Sequence, residues 1–258
     1  MSLSEDNPAD AKGPMVEPIQ VPKASDILAG KLRDLILSGR IAPGESLPAE
    51  RELVSDSGLS RSSVREALRV LEVEGLIATR PGRSGGSTVR LPGRSSVARS
   101  MRLFVRSHGI RLEALLECRV AVEPYLAGLA AQNRTEQDLA EMRDIHQRFE
   151  QSQGDVGAYK RLNLDWHLAV ARASRNEVLV ALMEAIAQPI FDAADYQEVT
   201  TAEIRRDAIR AHAAILHSIE AQDFKQAYSR MEKHLSAYAT VARRLLVDRQ
   251  AQSGAAAK

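Results

Sequence analysis

Three histidines and one asparagine in this chain have a spacing that suits metal binding. Asn163 and His167 are four residues apart, so they share a face if the segment is helical. His212 and His234 each lie eleven residues from Asp223, where the pattern predicts a turn between two helices. Equal offsets from the turn of an antiparallel hairpin lie at the same height, so the two imidazoles can meet. Three histidines and one oxygen ligand suit a divalent transition metal such as zinc, nickel or manganese.

The same histidines leave other interpretations open. A lone histidine is more often a surface residue or a hydrogen-bonded core residue than a ligand, and the remaining three are assigned to that class: His108, His146 and His217. A catalytic metal needs an acid or base nearby. Candidates are Glu184, Asp192 and Asp195, but no motif places any of them there. A metal-dependent enzyme therefore stays an alternative.

These residues fall in a long segment of helical periodicity. Apolar residues recur with a helical period over 97–248, and no alternating strand pattern competes. The pattern predicts an all-helical bundle of six or seven helices there, followed by a flexible tail over 249–258. The fold class is therefore mainly α, and no motif for an organic cofactor occurs, so none is expected.

A second set of chemically active residues precedes the bundle. Residues 58–106 contain ten arginines and three glutamates, although the net charge of the whole chain is only +1. Such a concentration of cations attracts phosphate backbones and makes binding depend on salt. A run of charged residues more often forms an ordinary solvent-exposed surface than a binding site. The secondary-structure elements that carry these arginines therefore decide between the two interpretations.

Those elements have the order of a winged helix-turn-helix. Residues 49–57 and 61–74 predict two short helices, joined at Gly58, where glycine permits a sharp turn. Ser60 is expected to cap the second of these helices, and Ser25 an earlier one. Two short strands with a glycine-rich tip follow. The pattern thus predicts three helices plus a two-stranded wing over 23–91, which places one helix in the DNA major groove.

Several side chains of this unit suit contact with DNA. Arg61 and Arg65 share a face at the start of the recognition helix, where arginine can read guanine bidentately. Glycines at the wing tip permit close approach to a backbone or minor groove. For any single arginine the alternative is a surface salt bridge, such as Arg65 with Glu66. The predicted DNA-binding residues are Arg51, Arg61, Ser62, Ser63, Arg65, Arg80, Gly82, Arg83 and Gly85.

The remaining sequence indicates the cellular compartment and the boundaries of the two domains. Cys118 is the only cysteine and cannot form an intramolecular disulfide, which indicates a reducing cytoplasm. No apolar run approaches the roughly 18 residues that span a membrane, so no membrane partner is expected. Residues 1–22 lack the pattern of a signal peptide and predict a disordered leader. Residues 92–96 predict a linker between the two domains.

The first domain resembles a known family. The segment PGESLPAERELVSDSGLSRSSVREALRVLEVEGLI, followed by the glycine-rich wing, resembles the amino-terminal domain of GntR-family transcription regulators. By motif, the DNA-contacting arginines of the family fall on Arg51, Arg61 and Arg65, and the wing tip on 82–86. The family often has a simple R-x-G-x-G-T tip, whereas this chain has the longer RPGRSGGST.

The bundle resembles the FCD domain of the FadR subgroup within that family. The resemblance rests on LNLDWHLAVARASRN, RAHAAILHSIEAQDFKQAYSRMEKHL and, upstream, ECRVAVEPYLAGLAA. It implies a metal held by one aspartate and three histidines, at the positions of Asn163, His167, His212 and His234. Asparagine brings no charge, so weaker metal binding or a different metal preference is expected. Arg119 is expected to hold an effector carboxylate. The alternative is a pair with Glu123 one turn away.

Together these features predict a ligand-responsive transcription regulator. The resemblance implies a homodimer on a palindromic double-stranded operator, with one winged domain per half-site. A small organic acid in the helical domain would change the spacing or orientation of the winged domains and so the DNA affinity. Repression relieved by the acid is the expected arrangement. Besides the metal-dependent enzyme, the other alternative is a constitutive architectural DNA-binding protein.

Overall fold

The computed structural model describes residues 21–80, 82, 85–192 and 201–256, from residue 245 onward for the backbone alone. The chain divides into two compact units, Met1–Pro92 and Gly93–Lys258. The described residues contain ten helices and a two-stranded sheet. This confirms the predicted fold class, a winged helix-turn-helix followed by a helical bundle. None of the described helices is both long and apolar enough to cross a membrane.

The first unit has the predicted order of elements. Its members are α1 Ala24–Leu37, α2 Glu50–Ser57, α3 Arg61–Val73, β1 Ile77–Arg80 and β2 Gly86–Val89. The strands are antiparallel, with Ile77 opposite Val89 and Arg80 opposite Gly86. The register leaves the tip of the wing between Arg80 and Gly86.

Local signals fix the position of α3. Gly58 has a φ of 68°, a left-handed conformation that glycine adopts without strain, and its N–H donates to the Val54 carbonyl. The Ser60 hydroxyl accepts a hydrogen bond of 3.2 Å from the Ser63 N–H and so caps α3. The inner face of α3 is fully buried at Val64, Ala67 and Leu71. The outer face of its first turn is therefore presented away from this core.

Two details of the first unit differ from the sequence prediction. Helix α1 begins at Ala24 after the N-cap residue Lys23, so Ser25 is buried inside the helix and does not cap it. The wing also has a third short segment, because the backbones of 45–47 and 87–89 exchange hydrogen bonds of 2.8 Å. Residues 45–47 and 87–89 are far apart in the sequence, so no local sequence pattern predicted their pairing.

The second unit is a bundle of seven helices in its described part. These are α4 Arg94–Ser107, α5 Leu112–Asn133, α6 Glu136–Gln151, α7 Val156–Ala173, α8 Glu177–Asp192, α9 Ala202–Glu220 and α10 Phe224–Ala256. Side-chain caps begin several of them, as where Thr135 accepts from the Asp138 N–H. Helix α5 is central, because it packs against α7, α8, α9 and α10. Side chains on α5 are therefore the ones that can reach several neighbours at once.

The limits of the bundle differ from the predicted ones. Helix α4 begins at Arg94, so three residues of the predicted 92–96 linker are helical. Helix α10 continues to Ala256, past the start of the tail predicted over 249–258. Residues 1–20 of the predicted leader lie outside the described residues.

The turn between α9 and α10 falls where the sequence predicted it. Gln222 has a φ of 57°, and the Asp223 carboxylate accepts a hydrogen bond of 2.9 Å from the Gln226 N–H at the start of α10. The two helices pack against each other. This hairpin sets the height at which residues of α9 meet residues of α10.

Candidate functional site

The first unit presents a cationic surface at the N-terminal turn of α3. The side chains exposed on α3 near this turn are Arg61, Ser62 and Arg65, with Ser63 half-buried, and Arg51 is exposed at the start of α2. The Ser60 hydroxyl lies 2.8 Å from that of Ser62 and 3.0 Å from that of Ser63. The start of a helix carries a partial positive charge of its own, which adds to the arginines. The arrangement suits binding of phosphate groups.

Arg65 has an ion-pair partner that the sequence did not suggest. Its Nε donates to Glu50 Oε1 on α2 at 2.7 Å, while Glu66 lies 3.7 Å from Arg69. The predicted alternative, a pair of Arg65 with Glu66, is therefore not the contact observed. The Arg65 side chain is 69% exposed, so the pair adds little stability. Its effect is to orient the guanidinium of Arg65.

The wing tip carries part of the predicted set. Arg80 ends β1 and is exposed, as are Gly82 and Gly85 on either side of the tip. Gly82 has a φ of 120°, which only glycine adopts readily. The predicted contact residue Arg83 lies outside the described residues.

In the second unit, three helices bring three histidines together. His167 comes from α7, His212 from α9 and His234 from α10, and one nitrogen of each lies within 4.8 Å of the others. The Nε2 atoms of His212 and His234 are 3.1 Å apart across the hairpin. His167 and His212 are fully buried, and His234 is half-buried. The predicted meeting of His212 and His234 in one layer is thus observed.

An aromatic stack holds His212. Its ring lies 3.9 Å from the Trp166 ring and nearly parallel to it, and 5.0 Å from the Phe149 ring. Trp166 is the only tryptophan and is fully buried. No sequence signal pointed to this stack, because an aromatic residue on an apolar helix face is usually plain core. The tryptophan is therefore a built-in spectroscopic reporter of the histidine cluster.

Glu123 belongs to the cluster, although the sequence pointed to it only as a partner of Arg119. Its Oε1 accepts from Arg119 Nε, and its Oε2 lies 2.5 Å from His167 Nδ1. All three side chains are at most 2% exposed. The i, i+4 pair of Arg119 with Glu123, the alternative to an effector-binding role of Arg119, is thus the contact observed. Arg119 also lines the cavity beside the histidines, and its binding of an effector stays a prediction.

The cavity beside the cluster is small. Its volume is about 20 Å³, enough for one water molecule or ion, and Asn163 lines it together with His167 and His234. The rest of its lining is Arg119, Tyr159, Ile204, Ala208, Leu235 and Tyr238. An adjoining groove of about 410 Å³ between α9 and α10 shares four of these residues: Ile204, Ala208, His234 and Tyr238.

The electrostatics favour a neutral histidine cluster beside an ionised Glu123. Burial raises the pKa of Glu123, but the charge of Arg119 and the contacts with Arg119 and His167 outweigh it and lower that pKa to about 2. Burial, His167 and Arg119 lower the pKa of His234 to about 3. Burial, followed by the neighbouring His234, lowers the pKa of His212 well below its usual value. Burial also lowers the pKa of His167, although Glu123 opposes it.

The donor set of the cluster fits a divalent transition metal. His167 Nε2 and His212 Nδ1 are buried nitrogens without a hydrogen-bond partner in the described part of the chain. Neutral imidazoles are the form that binds metal, and a carboxylate on the far nitrogen of a ligating histidine is the usual support. Of the acids considered for an enzyme, Glu184 and Asp192 do not line the cavity. Asp195 lies outside the described residues.

Comparison with known proteins identifies both units. The family model of the FCD domain matches residues 114–237, and that of the bacterial regulatory proteins of the gntR family matches residues 24–85. The Uxu operon regulator of Haemophilus influenzae is 32% identical over 212 residues, which are 79% of this chain and 76% of that protein. The chain belongs to the GntR family.

The chain is also similar to a second curated relative and to a solved structure. The Glc operon transcriptional activator of Escherichia coli is 30% identical over 172 residues, 65% of this chain and 67% of that protein. Among solved structures, the Streptococcus agalactiae GntR has a TM-score of 0.62 at 24% identity, covering 84% of this chain and 99% of that one. At that identity the structural match supports the fold alone. The relatives are transcription regulators, which are not enzymes.

The lowered histidine pKa values predict that acid destabilises the metal-free protein. Below about pH 6.5 the unfolded chain binds protons that the folded cluster does not, so stability is full above that pH. It falls as the pH drops toward the folded-state pKa values, about 3 for His234. The measurement is urea unfolding followed by Trp166 fluorescence from pH 7.5 to 4.5 in the presence of a chelator.

His212→Phe is the matched variant, because phenylalanine fits the aromatic stack and cannot bind a proton. It should reduce the slope of stability against pH by up to one proton, about 1.4 kcal/mol per pH unit. If the stability of the variant and that of the wild type change with pH in parallel, protonation of His212 does not contribute to the acid sensitivity.

Proposed function

We propose that this GntR-family protein is a transcription regulator that senses a small organic acid through a metal-assisted site in its helical unit. The observation that carries the proposal is the placement of Arg119, His167 and His234 around one small cavity, with His212 beside the other two histidines. A cationic side chain and a metal site together suit a carboxylate. A winged helix-turn-helix on the same chain supplies the output.

DNA reading is assigned to the first turn of α3 and to the wing. Arg61 and Arg65 contact base edges, and Arg51 contacts phosphate or a base. Ser62 and Ser63 assist at the same turn. Arg80, Gly82, Arg83 and Gly85 approach the adjacent minor groove or backbone. The exposure of the described arginines and of Ser62, and the position of Arg61, Ser62 and Ser63 at the start of α3, support the assignment.

The metal is assigned to His167, His212 and His234, with the amide oxygen of Asn163 as a fourth donor. Zinc, nickel and manganese all suit imidazole and oxygen donors. When bound, the metal supplies a Lewis acid for an effector carboxylate oxygen. Arg119, held by Glu123, supplies the hydrogen-bond donors for the same carboxylate. The cavity holds little more than the carboxylate, and the adjoining groove between α9 and α10 supplies the volume for the rest of a small acid.

A homodimer on a palindromic operator is assigned as the DNA-binding form. Two winged units related by twofold symmetry match two half-sites. We assign the acid the role of releasing the operator, which makes the protein a repressor. The Glc operon relative is named an activator, so the direction of the effect is itself part of the test. Light scattering of the free and operator-bound protein measures the subunit number.

Substitution of the α3 arginines tests the DNA assignment. Arg61→Ala and Arg65→Ala should each weaken binding to the operator, selected in vitro from random DNA, by about 1–3 kcal/mol, or about 5- to 150-fold. The control is Arg69→Ala, which removes the same charge two turns further from the start of α3. It should have a smaller effect. Equal losses for all three variants, or equal losses on operator and random DNA, would contradict base reading.

Asn163→Asp tests the metal assignment. A carboxylate at this position adds a negative charge beside the cluster, so zinc should bind at least about tenfold more tightly, a gain of about 1.4 kcal/mol. His234→Ala should abolish the zinc-induced rise in unfolding temperature. Gln226→Glu, which adds the same charge at an exposed site of α10, should leave zinc binding unchanged. Equal zinc affinity of wild type and Asn163→Asp would remove Asn163 from the ligand set.

A thermal-shift screen of carboxylic acids, followed by Trp166 fluorescence, tests the acid assignment. An acid that binds the folded state alone raises its stability by about 2.7 kcal/mol at 100 times its Kd. We expect that rise in zinc-loaded protein and its loss after chelation. The uncharged amides of the same acids are the matched controls. Acids that stabilise zinc-loaded and chelated protein equally would show that the metal takes no part.

A further inference from the structure

The contacts of Glu123 determine which nitrogen of His167 carries a proton. Glu123 is buried and accepts a hydrogen bond from the permanently charged Arg119, so it is a carboxylate whose two oxygens act as hydrogen-bond acceptors alone. Glu123 Oε2 and His167 Nδ1 are only 2.5 Å apart, and two acceptor lone pairs would repel each other at that distance, so we place the hydrogen on the nitrogen. In a neutral imidazole the lone pair is then on Nε2. That atom has no hydrogen-bond partner in the described part of the chain and belongs to the histidine cluster.

The other oxygen of Glu123 is engaged with a side chain that can only donate. Arg119 Nε donates to Glu123 Oε1, and arginine has no acceptor. The carboxylate is thus held between two donors from two helices, α5 and α7. Arg119 belongs to the acid-binding side of the cavity and His167 to the metal-binding side.

We propose that Glu123 is a positioning residue that fixes His167 in the Nδ1–H tautomer, so that Nε2 is available as a metal ligand. This inference rests on the proposed function, in which the histidine cluster binds a metal. Glu123 does not touch the metal or the acid. It acts through His167 on one side and through Arg119 on the other, which makes the two binding groups one hydrogen-bonded unit.

Glu123→Gln separates this role from general support of the core. The glutamine amide has one acceptor and one donor end in nearly the same volume. Its oxygen has to face Arg119, because an amide N–H against a guanidinium N–H would leave both donors unsatisfied. Its NH2 group then faces His167 Nδ1, which becomes an acceptor. The proton of the imidazole moves to Nε2, on the side of the cluster, and blocks the lone pair that a metal needs.

The experiment is a long-range ¹H–¹⁵N spectrum of metal-free protein labelled on histidine nitrogen. The His167 signals are assigned by their loss in His167→Gln. Wild type should show the Nδ1–H tautomer at His167, and Glu123→Gln the Nε2–H tautomer. Zinc alone, titrated against a competing chelator, should bind Glu123→Gln about 10- to 100-fold more weakly than wild type. Glu117→Gln, on the exposed face of the same helix, should match wild type in both measurements.

The outcomes distinguish this inference from the proposed function. An Nε2–H tautomer at His167 in the wild type overturns the inference, and this arm does not depend on the folding of Glu123→Gln. An unchanged tautomer and zinc affinity in folded Glu123→Gln also overturn it. If the tautomers change as expected but neither protein binds zinc, the positioning role of Glu123 stands and the metal-binding function fails.

Discussion

The helical unit is organised around one buried carboxylate that satisfies two donors. Taking Arg119, Glu123 and His167 out of water is expensive, and ion pairs in such places stabilise a fold only when every donor and acceptor is matched. Breaking a buried pair by removing one partner costs about 3–5 kcal/mol. Because Arg119 and Glu123 lie on α5 and His167 on α7, the match fixes the rotation of both helices about their axes. The position of the cavity between them follows from that rotation.

The histidine cluster depends on a second constraint, the register of the α9–α10 hairpin. A shift of one residue along either helix would turn His212 or His234 by about 100° and separate two nitrogens that now lie 3.1 Å apart. The turn at Gln222 and Asp223 and the stack of Trp166 on His212 hold that register. A metal would therefore meet its imidazoles already oriented, so little ordering entropy would oppose binding.

Local signals in the sequence were sufficient for much of this structure. The capping serine at Ser60, the left-handed Gly58 and the equal offsets of His212 and His234 from Asp223 each act within a few turns of chain. What the sequence could not give depends on packing between distant segments: the pairing of 45–47 with β2, the aromatic stack on His212, and the second contact of Glu123. The i, i+4 spacing revealed the partner of Glu123 on its own helix but not the one on α7.

The first unit carries a cationic surface for DNA. The second unit carries a cavity, lined by neutral histidines and Arg119, that suits an anion. The central claim is that occupancy of this cavity changes operator binding. The most direct measurement is the Kd of zinc-loaded protein for its selected operator, with and without a saturating concentration of the acid that gives the largest thermal shift. We expect the acid to weaken binding at least about tenfold, within the usual range of allosteric coupling, and the effect to vanish after chelation. An operator Kd that is the same with and without the acid would contradict the claim.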